Sequence, residues 1–449
     1  MTPQDLLALA ERVLADAAVG ESMEVVTSWS RETEVRAYDG EVEHLISSDS
    51  AGLGVRILVD GRQGTAWTGG LDEESMRACV ADARDNVRFA SVDPNAGLAE
   101  PDGCEAAKLD LFDSRLADES TESKIALAIE LERRVLDGDP RIVGIESADY
   151  ADSTSAAAIV STNGIRVCSS ETTSYLGAYV LAGDESETTS GFGFSVGRCG
   201  HDLSVDVAAR DAVERAVAQL GATKVPSRRI PVVFDPYVTS QFIALVAEML
   251  AGDAVIRGRS PFADRVGESV GSSLVTLFDD ATNPLAPTAS EVDGEGLACR
   301  RVPLIESGLL TGFMQNSYSA RCAGVTSTGS AQRSSLQSPP SVGPFAVTLA
   351  PGGADADSII ASVGEGVLVR ELAGLHSGVN TVSGDLSVGI EGLMIRGGEL
   401  AEPVAEVTIA STIQKMLNNI SIIGSDLTYF PWEATGVTVA IDDMALSGT

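Results

Sequence analysis

The residue types that carry chemistry are thinly spread along this chain. Its three histidines are His44, His201 and His376, and its six cysteines are Cys79, Cys104, Cys168, Cys199, Cys299 and Cys322. A catalytic zinc asks for three protein donors plus an open position for the water it activates, and two of those donors usually come from one local element. No histidine lies within a helical turn of another and no cysteines form a CxxC pair, so no metal ligand and no catalytic residue is assigned in this chain. A cysteine nucleophile needs a histidine partner; with so few histidines, the thiols are expected to be free and buried. The serine-rich run from Ser327 to Ser341 has no G-x-S-x-G elbow, which leaves it a loop bordering a groove rather than a hydrolase site. Asp279-Asp280 and Asp442-Asp443 are adjacent pairs, whose side chains point to opposite faces of a strand, so surface or turn positions are expected for them.

His376 stands apart because it sits in Gly374-Leu-His-Ser-Gly378, where flanking glycines let the backbone approach another chain. Gly374, His376, Ser377, Gly378 and Asn380 are therefore the candidate contacts for a substrate or a partner. The competing reading is a histidine hydrogen-bonded within a tight loop. Gly52-Leu-Gly54 and Gly364-Glu-Gly366 lack both the lysine and the strand-to-helix setting of a phosphate-binding loop.

The elements that must position these residues follow from periodicity. Thr2 caps a helix that opens at Pro3, with Leu6, Ala10, Val13, Leu14 and Ala17 on one face. Strands are predicted at Glu24 to Trp29, Glu34 to Tyr38, Val42 to Ser47 and Gly52 to Val59, with Asp39-Gly40 and Asp60-Gly61 as hairpin turns, and a helix from about Asp72 to Phe89. The pattern recurs: a helix at Glu122 to Leu136, strands at Ile142 to Tyr150, Ala157 to Thr162, Ile165 to Glu171 and Ser174 to Ala182, and a helix at Val205 to Leu220. Two helix-flanked antiparallel sheets about 120 residues apart fit a degenerate duplication, and convergent hairpins fit nearly as well. After the turn-rich Lys224 to Arg229 come a strand at Ile230 to Phe234 and a helix at Pro236 to Leu250, then mostly strands and glycine turns. The expected fold is α+β, with helix-flanked antiparallel sheets in an N-terminal domain (1–110) and a central domain (111–224), and a β-rich C-terminal domain (225–449).

The formal charge of −34, from 65 acidic and 31 basic residues, repels a phosphate backbone and argues against direct nucleic-acid binding. No segment reaches the roughly 18 apolar residues of a membrane span, and the start of the sequence lacks the basic and apolar regions of a signal peptide. A soluble cytoplasmic protein is expected.

Several segments, in order, resemble the TldD/PmbA family: Asp293-Gly-Glu-Gly, Arg300-Arg-Val-Pro-Leu-Ile-Glu-Ser-Gly-Leu-Leu-Thr-Gly-Phe, Asn316-Ser-Tyr-Ser-Ala-Arg, Glu371-Leu-Ala-Gly-Leu-His-Ser-Gly-Val-Asn, Pro403-Val-Ala-Glu-Val-Thr-Ile-Ala and Met416-Leu-Asn-Asn-Ile. With Asp39-Gly-Glu and Gly52-Leu-Gly-Val-Arg the resemblance covers essentially the whole chain. The family's zinc-bearing branch carries H-E-x-x-x-H on a helix and a later cysteine. The corresponding helix here, Pro236 to Leu250, has no histidine, and Glu248 is its only acid. The chain looks like the TldE/PmbA branch. The resemblance then implies a metal-free subunit that completes a heterodimer with a zinc-bearing TldD-like chain, and a substrate that is an extended or unfolded peptide such as a leader peptide or antitoxin. A homodimer is conceivable when the chain is alone. Two alternatives stay open: a stand-alone binding or regulatory protein, in keeping with the family's description as a modulator of DNA gyrase, and an enzyme with a metal-independent site near His376.

Overall fold

The structure is a computed structural model and describes residues 1–184 and 186–448. Helix α1 (Pro3–Leu14) opens with a capping box: the Thr2 hydroxyl accepts from the Asp5 amide while the Asp5 carboxylate accepts from the Thr2 amide. Strands β1 (Ser22–Tyr38), β2 (Glu41–Val59) and β3 (Arg62–Thr68) follow as a meander, and helix α2 (Glu73–Phe89) closes the unit under an Asp72 cap. Asp39, Gly40, Asp60 and Gly61 all have positive φ, as two-residue hairpin turns require. The second unit repeats the order: α3 (Thr121–Leu136), β4 (Ile142–Ser161), β5 (Arg166–Gly183), β6 (Thr188–Gly197) and α4 (Val205–Ala218).

The α+β class with antiparallel sheets is as the sequence predicts, but the units do not form separate sheets. β1 pairs antiparallel with β4 from Glu24↔Ser161 to Ala37↔Ala148, which gives one six-stranded sheet of order β3-β2-β1-β4-β5-β6. Each unit alone would leave its first strand as an open edge, and joining them satisfies both rows of backbone groups. The segments expected as short strands are continuous, with β1 spanning 17 residues and β4 20; β6 was not foreseen. All four helices cover one face. Val25 packs with α1 and α2, while Val35, an even number of residues along β1 and so on the same face, packs with α3 and α4.

The rest of the chain lies against the opposite face, where Val26 and Ile159 of the sheet bury against Leu297. Strand β7 (Arg228–Phe234) leads into α5 (Pro236–Met249), whose first turn is capped by the Asp235 carboxylate accepting from the Val238 amide. A second six-stranded sheet contains β7 with β8 (Glu365–Ala373), β9 (Asp385–Arg396), β10 (Glu399–Thr412), β11 (Ile420–Ile423) and β12 (Val439–Ser447), in the order β10-β9-β8-β7-β12-β11. An extra pairing of β10 with β12 curls this sheet toward closure. Phe234, Phe242, Val246, Met249, Val369, Ile390, Ile409 and Ile441 fill its core. Among the described residues, no helix is long and apolar enough to cross a membrane.

Candidate functional site

The face of the N-terminal sheet that the helices leave free is the floor of a cleft, with the C-terminal domain as its roof. Its largest compartment holds about 510 Å³. Glu32, Glu34, Ser153, Glu171 and Thr173 come from the strands, and Thr288, Gln332, Phe345 and Glu433 from above. Two smaller compartments, of about 420 and 280 Å³, share lining residues with it and extend it along the sheet. Side chains two apart on one strand reach the same face, which is why Glu32 and Glu34 enter the cleft together. Burial raises the pKa of Glu171 above the usual carboxylate value, although Arg198 and a 3.4 Å hydrogen bond from Ser155 Oγ oppose the rise. The lining of the main compartment contains no histidine or cysteine. Its carboxylates and hydroxyls suit a positively charged, hydrogen-bonding group.

Two contacts fix the cleft's width. At one end Glu24, 2% exposed, accepts from Arg56 at 2.8 and 3.1 Å and from Arg333 Nη2 at 2.6 Å. Burial by itself would raise the pKa of Glu24, but the two guanidiniums more than offset it and hold the carboxyl below its ordinary value. Beside this latch the loop after Arg333 lies directly on β2: a Cβ on Gly54 would meet the Leu336 carbonyl oxygen at 2.5 Å. The Gly52-Leu-Gly54 pattern is thus a notch for an approaching backbone. At the other end Phe192 and Phe194 of β6 meet Tyr237, Phe430 and Trp432, with Phe430 stacked on Trp432 at 4.8 Å between centroids. Arg215 of α4 lies 4.8 Å over Phe192 and 5.2 Å over Tyr237 while pairing with Asp235 at 3.0 Å.

The five residues singled out in the sequence occupy the connection between β8 and β9, and none lines the cleft. Gly374 takes a left-handed conformation at φ 79°, the Ser377 hydroxyl donates to the Gly374 carbonyl, and the Gly378 amide donates to the same oxygen at 2.8 Å. Asn380 Oδ1 accepts from the amides of Val382 and Ser383. The structure therefore brings Gly374, Ser377 and Gly378 together as one self-braced turn, while Asn380 braces the next turn toward β9. It leaves His376 exposed, without a hydrogen bond or ion pair among the described residues.

Two sequence expectations are corrected. Asp279 is not a surface residue: it is 1% exposed and accepts from the Phe345 and Ala346 amides, which its place in a short internal strand makes available. Burial pushes its pKa up to about 7, as it does for Asp293. The thiols are free, but only Cys79, Cys199 and Cys299 are buried; Cys104 is exposed, because its segment runs over the surface, where it takes a hydrogen bond from Arg300. Neither the Glu24 latch nor the aromatic seam is predicted from the sequence; the paired glycines of β2 mark the loop that lies beside the latch, and no local pattern marks the seam.

For a zinc ion the donors do not fit. The inner face of α5 is hydrocarbon, with Phe242, Ile243, Val246 and Met249 fully buried and Glu248 outside. His44, His201 and His376 are exposed on three separate elements. Among the described residues one group of potential ligands gathers, Asp113, Cys199 and Asp202. Its carboxylates already accept from Arg115 and from the Arg198 and Cys199 amides, and burial raises the Cys199 thiol's pKa, away from the thiolate a metal needs.

Comparison with known proteins matches the chain to three consecutive family models: PmbA/TldA metallopeptidase domain 1 over residues 23–87, the central domain over 114–220 and the C-terminal domain over 227–448. The chain is 27% identical to "Metalloprotease PmbA" of Escherichia coli O157:H7 over 93% of both chains. It is 26% identical to a "Metalloprotease TldD homolog" of Haemophilus influenzae, over 83% of this chain and 79% of that one. Among solved structures, TldE from Thermococcus kodakarensis superposes with a TM-score of 0.89 at 21% identity, covering 99% of each chain. A putative modulator of a DNA gyrase from Thermotoga maritima does so with 0.88 at 23%, also covering 99% of each.

Proposed function

Because this chain belongs to the PmbA/TldD metallopeptidase family, we propose that it is the subunit that lacks the zinc and shapes the peptide chamber of a zinc-bearing TldD-like partner. What supports the reading is helix α5, whose buried positions are spent on the C-terminal core and offer no imidazole or thiolate to a zinc ion. The hydrolysis then belongs to the partner's metal. This chain contributes the acidic cleft, which favours an extended peptide carrying basic residues: Glu32, Glu34, Glu171 and Glu433 attract the charge, and the strand hydroxyls bind main chain without demanding a sequence. The complex is expected to be cytoplasmic.

The test is co-expression with a relative that carries H-E-x-x-x-H, followed by metal analysis and a peptide cleavage assay. The complex should hold zinc and cleave; this chain alone should hold no zinc, and neither chain alone should cleave. An isolated chain that cleaves peptides, or that never joins a zinc-bearing relative, would overturn the reading.

A further inference from the structure

In a protein with 65 acidic residues against 31 basic ones, a partly buried arginine whose guanidinium has neither a carboxylate nor a carbonyl partner is conspicuous. A cavity of about 620 Å³, separate from the cleft, lies where α3 and α4 meet the β8–β9 edge of the C-terminal domain. Val213, Val217 and Ala209 of α4, with Leu393 of β9, give it an apolar floor. Four arginines surround it, and three are already neutralised: Arg134 by Glu130 and Asp206, Arg141 by Asp139 and Arg210 by Asp211. The fourth, Arg370, makes no side-chain hydrogen bond or ion pair among the described residues.

Arg370 is also the residue displaced where the β8–β9 register shifts between Val369 and Glu371. A bulge of this kind re-aims a side chain out of the alternation of its strand. Its carbonyl is held by Arg215 Nη1 at 3.1 Å, so the backbone of the bulge is fixed. Burial lowers the pKa of Arg370, and of the neighbouring carboxylates that oppose this, Asp235 is committed to Arg215 while Glu214 stays outside ion-pair distance. A half-buried guanidinium left unpaired beside an apolar cavity costs stability, and an incoming anion would recover it.

We infer that this cavity binds a monoanionic carboxylate carried on a small apolar body, with the Arg370 fork taking the carboxylate and the α4 floor taking the hydrocarbon. The charge balance of the lining selects the anion. Three of the four arginines already have carboxylate partners, so the Arg370 guanidinium is the one charge left open in the lining; it suits a single negative charge, whereas a phosphate dianion would also face Asp139, Asp206 and Glu214. A guanidinium meets a carboxylate through two parallel hydrogen bonds. The inference does not rest on the zinc-partner reading and is tested on the isolated full chain.

Isothermal titration with octanoate, octanamide, N-acetylleucine and inorganic phosphate decides it. Saturable binding of octanoate or N-acetylleucine is expected, with octanamide weaker by at least about tenfold, the loss of one good charged contact, and no saturation by phosphate. Tighter N-acetylleucine points to a peptide C terminus as the natural source, and tighter octanoate to a fatty acyl chain; both support the site. Arg370→Leu should lose binding by at least about tenfold while its melting temperature stays level or rises, since the unpaired charge is gone. Arg370→Lys should keep part of the affinity, and Val217→Trp, which fills the floor and spares Arg370, should lose it. Octanamide binding as well as octanoate, phosphate binding as well as either carboxylate, Arg370→Leu binding like the parent, or no saturable binding by either carboxylate would each overturn the proposal.

Discussion

At one end of the cleft the sheet and the C-terminal domain meet through a buried carboxylate between two guanidiniums, Glu24 with Arg56 and Arg333. At the other they meet through the rings of Phe192, Phe194, Tyr237, Phe430 and Trp432. The ionic end is specific and unforgiving, because its stability depends on every charge being present. The aromatic end gains from area and can lose a ring without stranding a charge.

Removing one charge should have the largest effect. Arg56→Ala leaves Glu24 buried with Arg333 alone and is expected to destabilise by roughly 3–5 kcal/mol, read as a fall in the denaturant midpoint. The triple variant Glu24→Leu/Arg56→Met/Arg333→Met, which leaves no member of the triad unpaired, should recover most of this; if it does not, the latch is more than a charge cluster. Trp432→Ala should cost roughly 2–3 kcal/mol, because the ring is only half-buried. A cost equal to that of Arg56→Ala would erase the contrast between the two ends. Gly54→Ala pushes a methyl toward the Leu336 carbonyl and should cost about 1–3 kcal/mol, with no change expected from the same substitution at the open turn residue Gly353.

Acidity separates the regions by sign. Glu24 has a folded pKa below its unfolded one, so its contribution is present above the unfolded value and is lost as pH falls through the folded value. Asp279 and Asp293 are raised to about 7. The folded state therefore binds more protons than the unfolded state between about pH 4 and 7, and stability falls as pH rises through that window. One such group contributes at most about 1.4 kcal/mol per pH unit. Asp279→Asn should reduce that slope to the part that Asp293 carries and leave the acid limb, to which Glu24 contributes, in place. His376→Ala should change stability by less than about 0.5 kcal/mol, as for other exposed residues; a larger loss would show that the β8–β9 turn depends on it.

How much of this was legible in the sequence depends on the range over which each feature is determined. The caps at Thr2 and Asp235 and the turns at Asp39-Gly40 and Asp60-Gly61 are local, and they were read correctly from a few residues. The sequence divides β1 into two strands because Ser30 to Thr33 is polar, and that stretch is polar because its Glu32 faces the cleft and not a core. Asp279 hid because a buried carboxylate satisfied by backbone amides leaves no partner in the sequence to find. The Glu24–Arg333 contact joins residues 309 positions apart, beyond any periodicity. The five residues around His376 were chosen for loop chemistry, and the geometry that makes the cleft arises elsewhere, from strand alternation and domain packing.

The pairing of β1 with β4 also sets a clock on synthesis. Glu24 must wait for Ser161, and Ala37 for Ala148, so more than a hundred residues separate the two edges in time as well as in sequence. At about 5–20 residues per second of translation, the first unit waits several seconds or longer with the 17-residue edge of β1 unpaired. An exposed edge of that length is a template for any extended chain nearby. The nascent protein is therefore at its most vulnerable to mispairing before the first strand of its second unit, β4, has left the ribosome.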